Sequence, residues 1–158
     1  MAELTTARLR LRELTVDEAH AIRTGHSIPG DSYAEGYPLP DTYDGLKLFV
    51  RHGDERYGFS LIVRREDGLV IGEIGFVGPP REGAVTIGYA IVPSARRRGY
   101  ATEAIVALSE WALAQPDVSE VRAQTLPDNE PSVRALLRAG FAEEGSSEQL
   151  RRFSRRAG

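Results

Sequence analysis

Residues 87–104 hold the densest group of side chains that could do chemistry, in the sequence IGYAIVPSARRRGYATEA. An apolar run ends at Pro93, three arginines follow, and Gly99 stands before a segment with helical spacing. A strand that turns into a helix in this way leaves unpaired N–H groups at the positive end of the helix dipole. Glycine lets a ligand approach the backbone closely, and the arginines add positive charge. The pattern therefore predicts an anion site suited to phosphate.

Two common nucleotide-binding patterns are absent from this stretch. A dinucleotide-binding turn carries G-x-G-x-x-G with an acidic residue about 20 positions later, whereas this turn contains only Gly99. A P-loop requires G-x-x-x-x-G-K-[ST], and the chain has no such string. Residues 96–101 instead follow R-x-x-G-x-A. A nucleotide-binding protein is accordingly the least favoured interpretation.

The composition indicates an ordinary globular domain. The chain has 158 residues, 41% of them hydrophobic and 27% charged, with a formal net charge of −3. That length fits a single domain over residues 1–158, and the charge gives no overall attraction to nucleic acid. No apolar run approaches the roughly 20 residues that span a bilayer, and the first residues lack a signal-peptide core. We therefore expect a cytoplasmic protein with no nucleic-acid or membrane partner.

Metal and thiol chemistry are not predicted. The chain contains no cysteine, and His20, His26 and His52 do not have metal-ligand spacing. We expect no disulfide, no cysteine nucleophile and no bound metal.

The elements that must hold the anion site follow from periodicity. Leucine and arginine alternate from Leu9 to Leu14, which predicts a half-buried strand with solvated arginines. A capping box of Thr15 and Glu18 predicts a helix after this strand. Further strands are expected at 57–64, 69–77, 84–92, 118–125, 141–144 and 149–153, and further helices at 43–52, 99–114 and 129–139.

A long loop interrupts this order. Residues 27–42 are rich in Gly, Pro, Asp and Tyr and predict a connection that could wall a substrate pocket. Tyr33 and Tyr37 would either line that pocket or pack on the sheet. The whole pattern predicts an α+β domain with a mostly antiparallel mixed sheet of six to seven strands and about four helices.

These motifs resemble the GNAT family of N-acetyltransferases. The acetyl-CoA signature of that family, [QR]-x-x-G-x-[GA], matches residues 96–101, and the wider run 88–104 is similar to the branch that acetylates the amino termini of ribosomal proteins. Asn129-Glu-Pro-Ser132 with Gly140-Phe141 matches a second segment of that branch, and residues 6–12 match its beginning less specifically. Residues 27–54 match nothing specific.

The resemblance implies acetyl-CoA as co-substrate and an amine as acceptor. Backbone N–H groups from Arg97 to Thr102 would bind the pyrophosphate, while strand groups of Ile91 and Val92 would bind the pantetheine arm. Asn129 would reach that arm, and Ser132 would protonate the leaving thiolate, although an N-cap and a first-turn serine need no ligand. The implied cofactor-binding residues are Ile91, Val92, Arg96, Arg97, Arg98, Gly99, Tyr100, Ala101, Thr102, Asn129 and Ser132. A homodimer is also common for this resemblance.

The chain departs from the family at its expected general acid. Many members place a tyrosine four residues before the glycine of the Gly-Phe pair, where this sequence has Leu136. Ser132 or water would then supply the proton. Glu73, in a strand between two glycines, is the candidate base, and the alternative is a carboxylate on an exposed sheet face.

Amine chemistry favours an amino-terminal acceptor. An α-amine with a pKa near 8 needs about 1.4 kcal/mol to become neutral at pH 7, whereas a lysine near 10.4 needs about 4.6 kcal/mol. The leading prediction is therefore an acetyl-CoA-dependent N-acetyltransferase that acts on protein α-amines or on small amines. The alternative is a non-catalytic acyl-CoA-binding or regulatory module.

Overall fold

The computed structural model describes residues 3–158, which form one nine-stranded sheet with four α-helices. The strands are β1 (Leu4–Thr5), β2 (Leu9–Glu13), β3 (Ser32–Tyr33), β4 (Phe59–Arg64), β5 (Leu69–Phe76), β6 (Ala84–Ile91), β7 (Glu120–Thr125), β8 (Ala142–Ser146) and β9 (Arg151–Arg156). The helices are α1 (Val16–Arg23), α2 (Pro40–His52), α3 (Tyr100–Leu113) and α4 (Glu130–Arg138).

The sheet has the order β1-β2-β4-β5-β6-β7-β9-β8, and β3 pairs separately with β5. Only the β6–β7 and β3–β5 pairs are parallel within the described residues. The predicted α+β class and mostly antiparallel mixed sheet are confirmed. The sheet has more strands than expected because β1 and β3 are two residues long, too short to show a periodic pattern.

Helix starts follow the local capping chemistry. The Thr15–Glu18 capping box is present at α1, as predicted. The prediction for α2 was wrong at its start, since the helix begins at Pro40 rather than at residue 43. Proline is a loop signal in most contexts, but at the first helical position its fixed φ is compatible with the helix and its missing N–H costs nothing.

The two large helices α2 and α3 cover opposite faces of the sheet. On β5 the Glu73 side chain contacts Thr42 of α2. Phe76, three residues further along the strand and therefore on its other face, contacts Trp111 of α3 with 5.8 Å between ring centroids. Neighbouring strand positions face opposite sides, so the two helices are separated by the sheet. No helix in residues 3–158 has the length and apolar content to cross a bilayer.

The parallel pair β6–β7 is short and then opens. Its partners are Ala84 with Glu120, Val85 with Val121, and Thr86 with Arg122. Beyond Thr86, β6 remains paired with β5 on its other side and β7 remains paired with β9. A gap therefore separates the carboxyl-terminal halves of β6 and β7.

We expect Gly72→Ala to destabilise the sheet beside this gap. A Cβ at Gly72 would lie 2.1 Å from the Ala90 carbonyl oxygen, so β5 and β6 would have to move apart. The expected loss is about 1–3 kcal/mol in the free energy of unfolding, measured by urea denaturation. Gly145→Ala in β8 is the control, because a Cβ there has no atom within 4 Å. Equal stability of the two variants would contradict the close approach.

Candidate functional site

A cavity of about 670 Å³ lies where β6 and β7 separate. One wall is β6 from Ile87 to Ile91, and the other is formed by residues 124–126 and the inner face of α4. The turn after β6 and the first turn of α3 close one end. The cavity thus joins the predicted anion site to the sheet gap.

Backbone groups of β6 face into this gap. The Val77 N–H donates to the Thr86 carbonyl at 2.9 Å, and the Val92 N–H donates to the Ile71 carbonyl at 2.8 Å. Even-numbered residues of β6 therefore face β5, and alternation turns the N–H and C=O of Tyr89 and Ile91 toward the gap beyond the Thr86–Arg122 pair. These groups can pair with an extended ligand as an added strand would.

The structure separates Ile91 from Val92, which the sequence grouped together. Ile91 lines the cavity, and its carbonyl accepts from Arg96 Nε at 2.8 Å. Both backbone groups of Val92 are already paired, the N–H with Ile71 and the carbonyl with the Ala95 N–H at 3.0 Å. Besides Ile91, Tyr89 is thus the residue of β6 whose backbone groups are turned toward the gap, whereas those of Val92 are not.

The start of α3, residues 99–102, forms an open cradle of backbone N–H groups. Gly99 is the N-cap, with φ of +80°, and no side chain caps the helix. The N–H groups of Gly99, Tyr100, Ala101 and Thr102 have no partner within the helix, and these four residues line the cavity. These free N–H groups are the feature on which the predicted anion site depends, and anion binding there stays a prediction.

The three consecutive arginines have different positions. Arg96 and Arg97 line the cavity, and Arg97 has a positive φ of 63°, which is unfavourable for a non-glycine residue. Arg98 is exposed, and its carbonyl accepts from Arg8 Nη1 at 2.8 Å. The structure therefore places two of the three arginine side chains at the cavity.

A cluster around Glu103 fastens the cradle to the beginning of the chain. The Glu103 carboxylate accepts from Arg8 Nε at 2.8 Å and from Thr6 Oγ1 at 2.5 Å, and the Arg8 guanidinium lies over the Tyr100 ring. Burial would raise the pKa of Glu103, but the hydrogen bonds from Thr6 and Arg8 outweigh it and hold the pKa below its usual value. Arg8, which precedes β2, therefore has a structural role in addition to its exposure to solvent.

Two cationic residues of the site were missed in the sequence. Arg134 and Arg138 of α4 line the cavity together with Pro131 and Ala135. Their spacing of four residues places them on one face of a helix, so the periodicity of α4 could have predicted that both arginines face the same way. With Arg96 and Arg97, four arginines line the cavity.

Asn129 and Ser132 meet at the start of α4. The Asn129 side chain caps the helix by accepting from the Ser132 N–H at 3.3 Å. The Ser132 hydroxyl makes a short hydrogen bond with the hydroxyl of Tyr89 across the gap, a contact that the sequence did not reveal. Leu136, at the position where the resembled family has a tyrosine, is buried in the core.

Glu73 lies below the cavity rather than in its wall. It is 3% exposed, so the alternative of an exposed-face carboxylate was wrong. Thr42 Oγ1 donates to its carboxylate at 2.5 Å, and the buried Tyr37 hydroxyl lies beside the same carboxylate. Burial raises the pKa of Glu73 to about 7, the hydrogen bonds of Thr42 and Tyr37 oppose this, and the charge of Asp41 adds to it.

The long loop before α2 is ordered by packing. Tyr33 and Tyr37 form an edge-on ring pair with centroids 5.2 Å apart, and Tyr37 is buried. Of the two alternatives for these rings, packing on the sheet describes the structure.

No metal centre is found among residues 3–158. No group of three or more His, Cys, Asp or Glu side chains is placed to hold an ion.

We expect Glu73→Gln to change how stability depends on pH. The folded protein binds a proton at Glu73 more tightly than the unfolded chain does, because its pKa rises from 4.5 to about 7. Stability from this group is present below pH 4.5 and is lost as pH rises toward 7, by up to about 3 kcal/mol. Denaturation of both proteins from about pH 4.5 to about pH 8 should show the variant gaining relative to wild type as pH rises. A constant difference across this range would contradict the raised pKa.

Comparison with known proteins agrees with this geometry. The family model described as "Acetyltransferase (GNAT) domain" matches residues 8–142. The uncharacterized N-acetyltransferase YjdG of Bacillus subtilis is 30% identical over 151 residues, which cover 89% of this chain and 90% of that protein.

Solved structures extend the comparison to the fold. An acetyltransferase from Agrobacterium tumefaciens superposes with a TM-score of 0.71 and 26% identity, covering 99% of this chain and 95% of its own. RimL, a ribosomal-protein α-N-acetyltransferase in complex with coenzyme A, superposes with a TM-score of 0.70 and 16% identity over 98% of both chains, which shows likeness of fold. The protein described here is a member of the GNAT family of acetyltransferases.

Proposed function

We propose that this protein transfers the acetyl group of acetyl-CoA to a primary amine, with the α-amine of a peptide or protein as the favoured acceptor and small amines as the other class. The proposal rests mainly on one observation, which is that a single cavity joins the gap beside β6 to the start of α3. Unpaired strand backbone, an uncapped helix N-terminus and four arginines share its wall.

The cavity residues suit two parts of coenzyme A, the pantetheine arm and the pyrophosphate. The gap-facing groups of Tyr89 and Ile91 suit the amides of an extended pantetheine arm. The N–H groups from Gly99 to Thr102 suit a pyrophosphate, and arginine side chains can neutralise its charge by charge-assisted hydrogen bonds. The bound acetyl-CoA would supply an activated thioester carbonyl.

The chain's own contribution is to position groups and move protons. The amine nitrogen must lose a proton to attack, the C–N bond forms as the C–S bond breaks, and the thiolate takes up a proton. Ser132 and Tyr89 line the cavity as a hydrogen-bonded hydroxyl pair, so Ser132 can donate to the sulfur while Tyr89 orients it. This pair takes the place of the tyrosine that is missing at Leu136.

Glu73 is separated from the acceptor by the α2 residues above it. Its carboxylate contacts Thr42 within α2 rather than open space. We therefore assign Glu73 a positioning role at the start of α2, instead of the direct base role that the sequence suggested.

Gly99→Asp should remove binding of acetyl-CoA. Aspartate places a negative charge at the cradle, and its Cβ would approach Arg8 Nη2 at 3.2 Å. We expect at least about a tenfold rise in Kd by isothermal titration calorimetry. The control is Gly68→Asp, since Gly68 has a similar φ of +73° and a Cβ at that position would have no atom within 4 Å. Equal affinities in the two variants would contradict the cradle.

Ser132→Ala should slow turnover without weakening acetyl-CoA binding. Loss of a general acid lowers kcat by about 10²-fold, while the backbone contacts of the cofactor remain. Thiol release in steady state and calorimetric Kd measure the two effects separately. A normal kcat in this variant would assign protonation of the thiolate to water.

A further inference from the structure

Helix α2 covers only part of its face of the sheet. Glu73 and Ala90 pair across β5 and β6, so both lie on the face that α2 covers. Thr86 and Gly88 share this face, because positions two apart in a strand point the same way. Glu73 is buried, whereas these three residues of β6 are half-buried. A Cβ at Gly88 would have no atom within 4 Å, so the sheet is open at this point.

The uncovered surface continues across β7 to β9. Arg122 pairs with Thr86 of β6, and Gln124, two positions further along β7, pairs with Arg152 of β9. Paired residues of neighbouring strands point to the same face, so these side chains lie on the α2 side of the sheet. Arg122, Gln124 and Arg152 are exposed, and Gln124 lines the cavity. We call this surface the open face; it comprises residues 120, 122 and 124 of β7 and residues 152, 154 and 156 of β9.

Arg152 is the cation of the open face that has no carboxylate beside it. Arg122 and Arg156 both pair with Glu120, at 3.0 Å and 3.3 Å. In the part of the chain that the structure describes, residues 3–158, the Arg152 side chain makes no hydrogen bond and no ion pair. Its guanidinium therefore keeps all of its N–H donors for a partner from outside the chain.

This charge pattern suits a carboxylate better than a nucleic acid. A guanidinium binds a carboxylate through two parallel hydrogen bonds. A nucleic-acid strand needs several free cations, and single strands also stack on aromatic rings. The open face has one free arginine and two paired ones, and its residues include no aromatic side chain. The partner that it fits is therefore an acidic segment of a peptide.

We propose that Arg152 binds an aspartate or glutamate side chain of the acceptor, and that the acceptor class is peptides and proteins with such a residue among their first few positions. This inference rests on the proposed function, in which the amine of the acceptor enters the cavity. Gln124 belongs both to the cavity wall and to the open face. An acceptor chain that leaves the cavity over Gln124 meets Arg152 on the next strand.

The spacing of the strands indicates which acceptor positions Arg152 reaches. Two strand intervals separate β6 from β9, which amounts to at least about 10 Å. An extended peptide advances about 3.3 Å per residue, so a chain whose amine lies beside β6 reaches β9 with about its fourth residue. The second to fourth positions of the acceptor are therefore the ones to vary. Arg152 does not touch the reacting amine or the thioester, so we expect its effect in KM rather than in kcat.

Three peptides that differ in charge test the inference. Each is a hexapeptide amide that begins with alanine and carries glutamate, glutamine or arginine at its second to fourth positions; arginine replaces lysine because it adds no amine to acetylate. We would measure kcat and KM by thiol release, per unprotonated α-amine, for wild type, Arg152→Gln and Arg152→Glu. Arg81→Glu is the control, since Arg81 is exposed and precedes β6, at the opposite end of that strand from the gap. Calorimetry with acetyl-CoA and thermal unfolding verify that each variant is folded.

Wild type should have a KM for the glutamate peptide about fivefold below that for the glutamine peptide, the upper range for one exposed ion pair. The preference should shrink as the salt concentration rises from about 0.02 M to about 0.5 M, because salt screens exposed charges. Arg152→Gln should remove the preference, and Arg152→Glu should reverse it in favour of the arginine peptide. Arg81→Glu should leave the preference unchanged.

Equal KM values for the three peptides in wild type, or the same loss of preference in Arg81→Glu, would overturn the inference alone. Turnover confined to small amines would do so too. A single-stranded oligonucleotide that inhibits wild type but not Arg152→Gln would assign the open face to nucleic acid and would also overturn it. Normal acetyl-CoA binding with no thiol release from any peptide or small amine would instead overturn the proposed function, and the role of Arg152 with it.

Discussion

The early end of pairing between β6 and β7 is the constraint on which the site depends. After three residue pairs the two strands part, and Tyr89 and Ile91 of β6 keep backbone groups that no strand satisfies. Buried backbone groups need partners, so such an opening within a sheet is costly unless a ligand or water fills it. The cavity, the cradle and the hydroxyl pair are all arranged along this opening. A β7 that stayed paired to its end would leave no room for a pantetheine arm.

The cradle needs a second support because an uncapped helix N-terminus and a non-glycine residue at positive φ do not stabilise themselves. Arg8 and Glu103 provide it, by joining the chain before β2 to the first turn of α3 and to the Arg98 carbonyl. This contact bridges 95 residues of sequence. The shape of the cradle is therefore fixed by contacts between distant parts of the chain.

Local patterns in the sequence predicted most of the helices and strands, because helix periodicity and the capping box are properties of neighbouring residues. What the sequence could not show depends on register and distant packing. Which of Ile91 and Val92 faces the gap is decided by pairing with β5, and a shift of one residue exchanges them. The Tyr89–Ser132 contact and the burial of Glu73 beneath Thr42 both join segments that are distant in the sequence. The predicted start of α2 was wrong for a local reason, since proline is common both in loops and at the first position of helices.

A crystal structure of the protein with coenzyme A tests the central claim most directly. The account predicts a pyrophosphate on the N–H groups of residues 99–102, a pantetheine arm paired with Tyr89 and Ile91, and a sulfur between Ala90 and Ser132. A coenzyme whose arm runs outside the gap between β6 and β7, or whose pyrophosphate lies away from the start of α3, would contradict it.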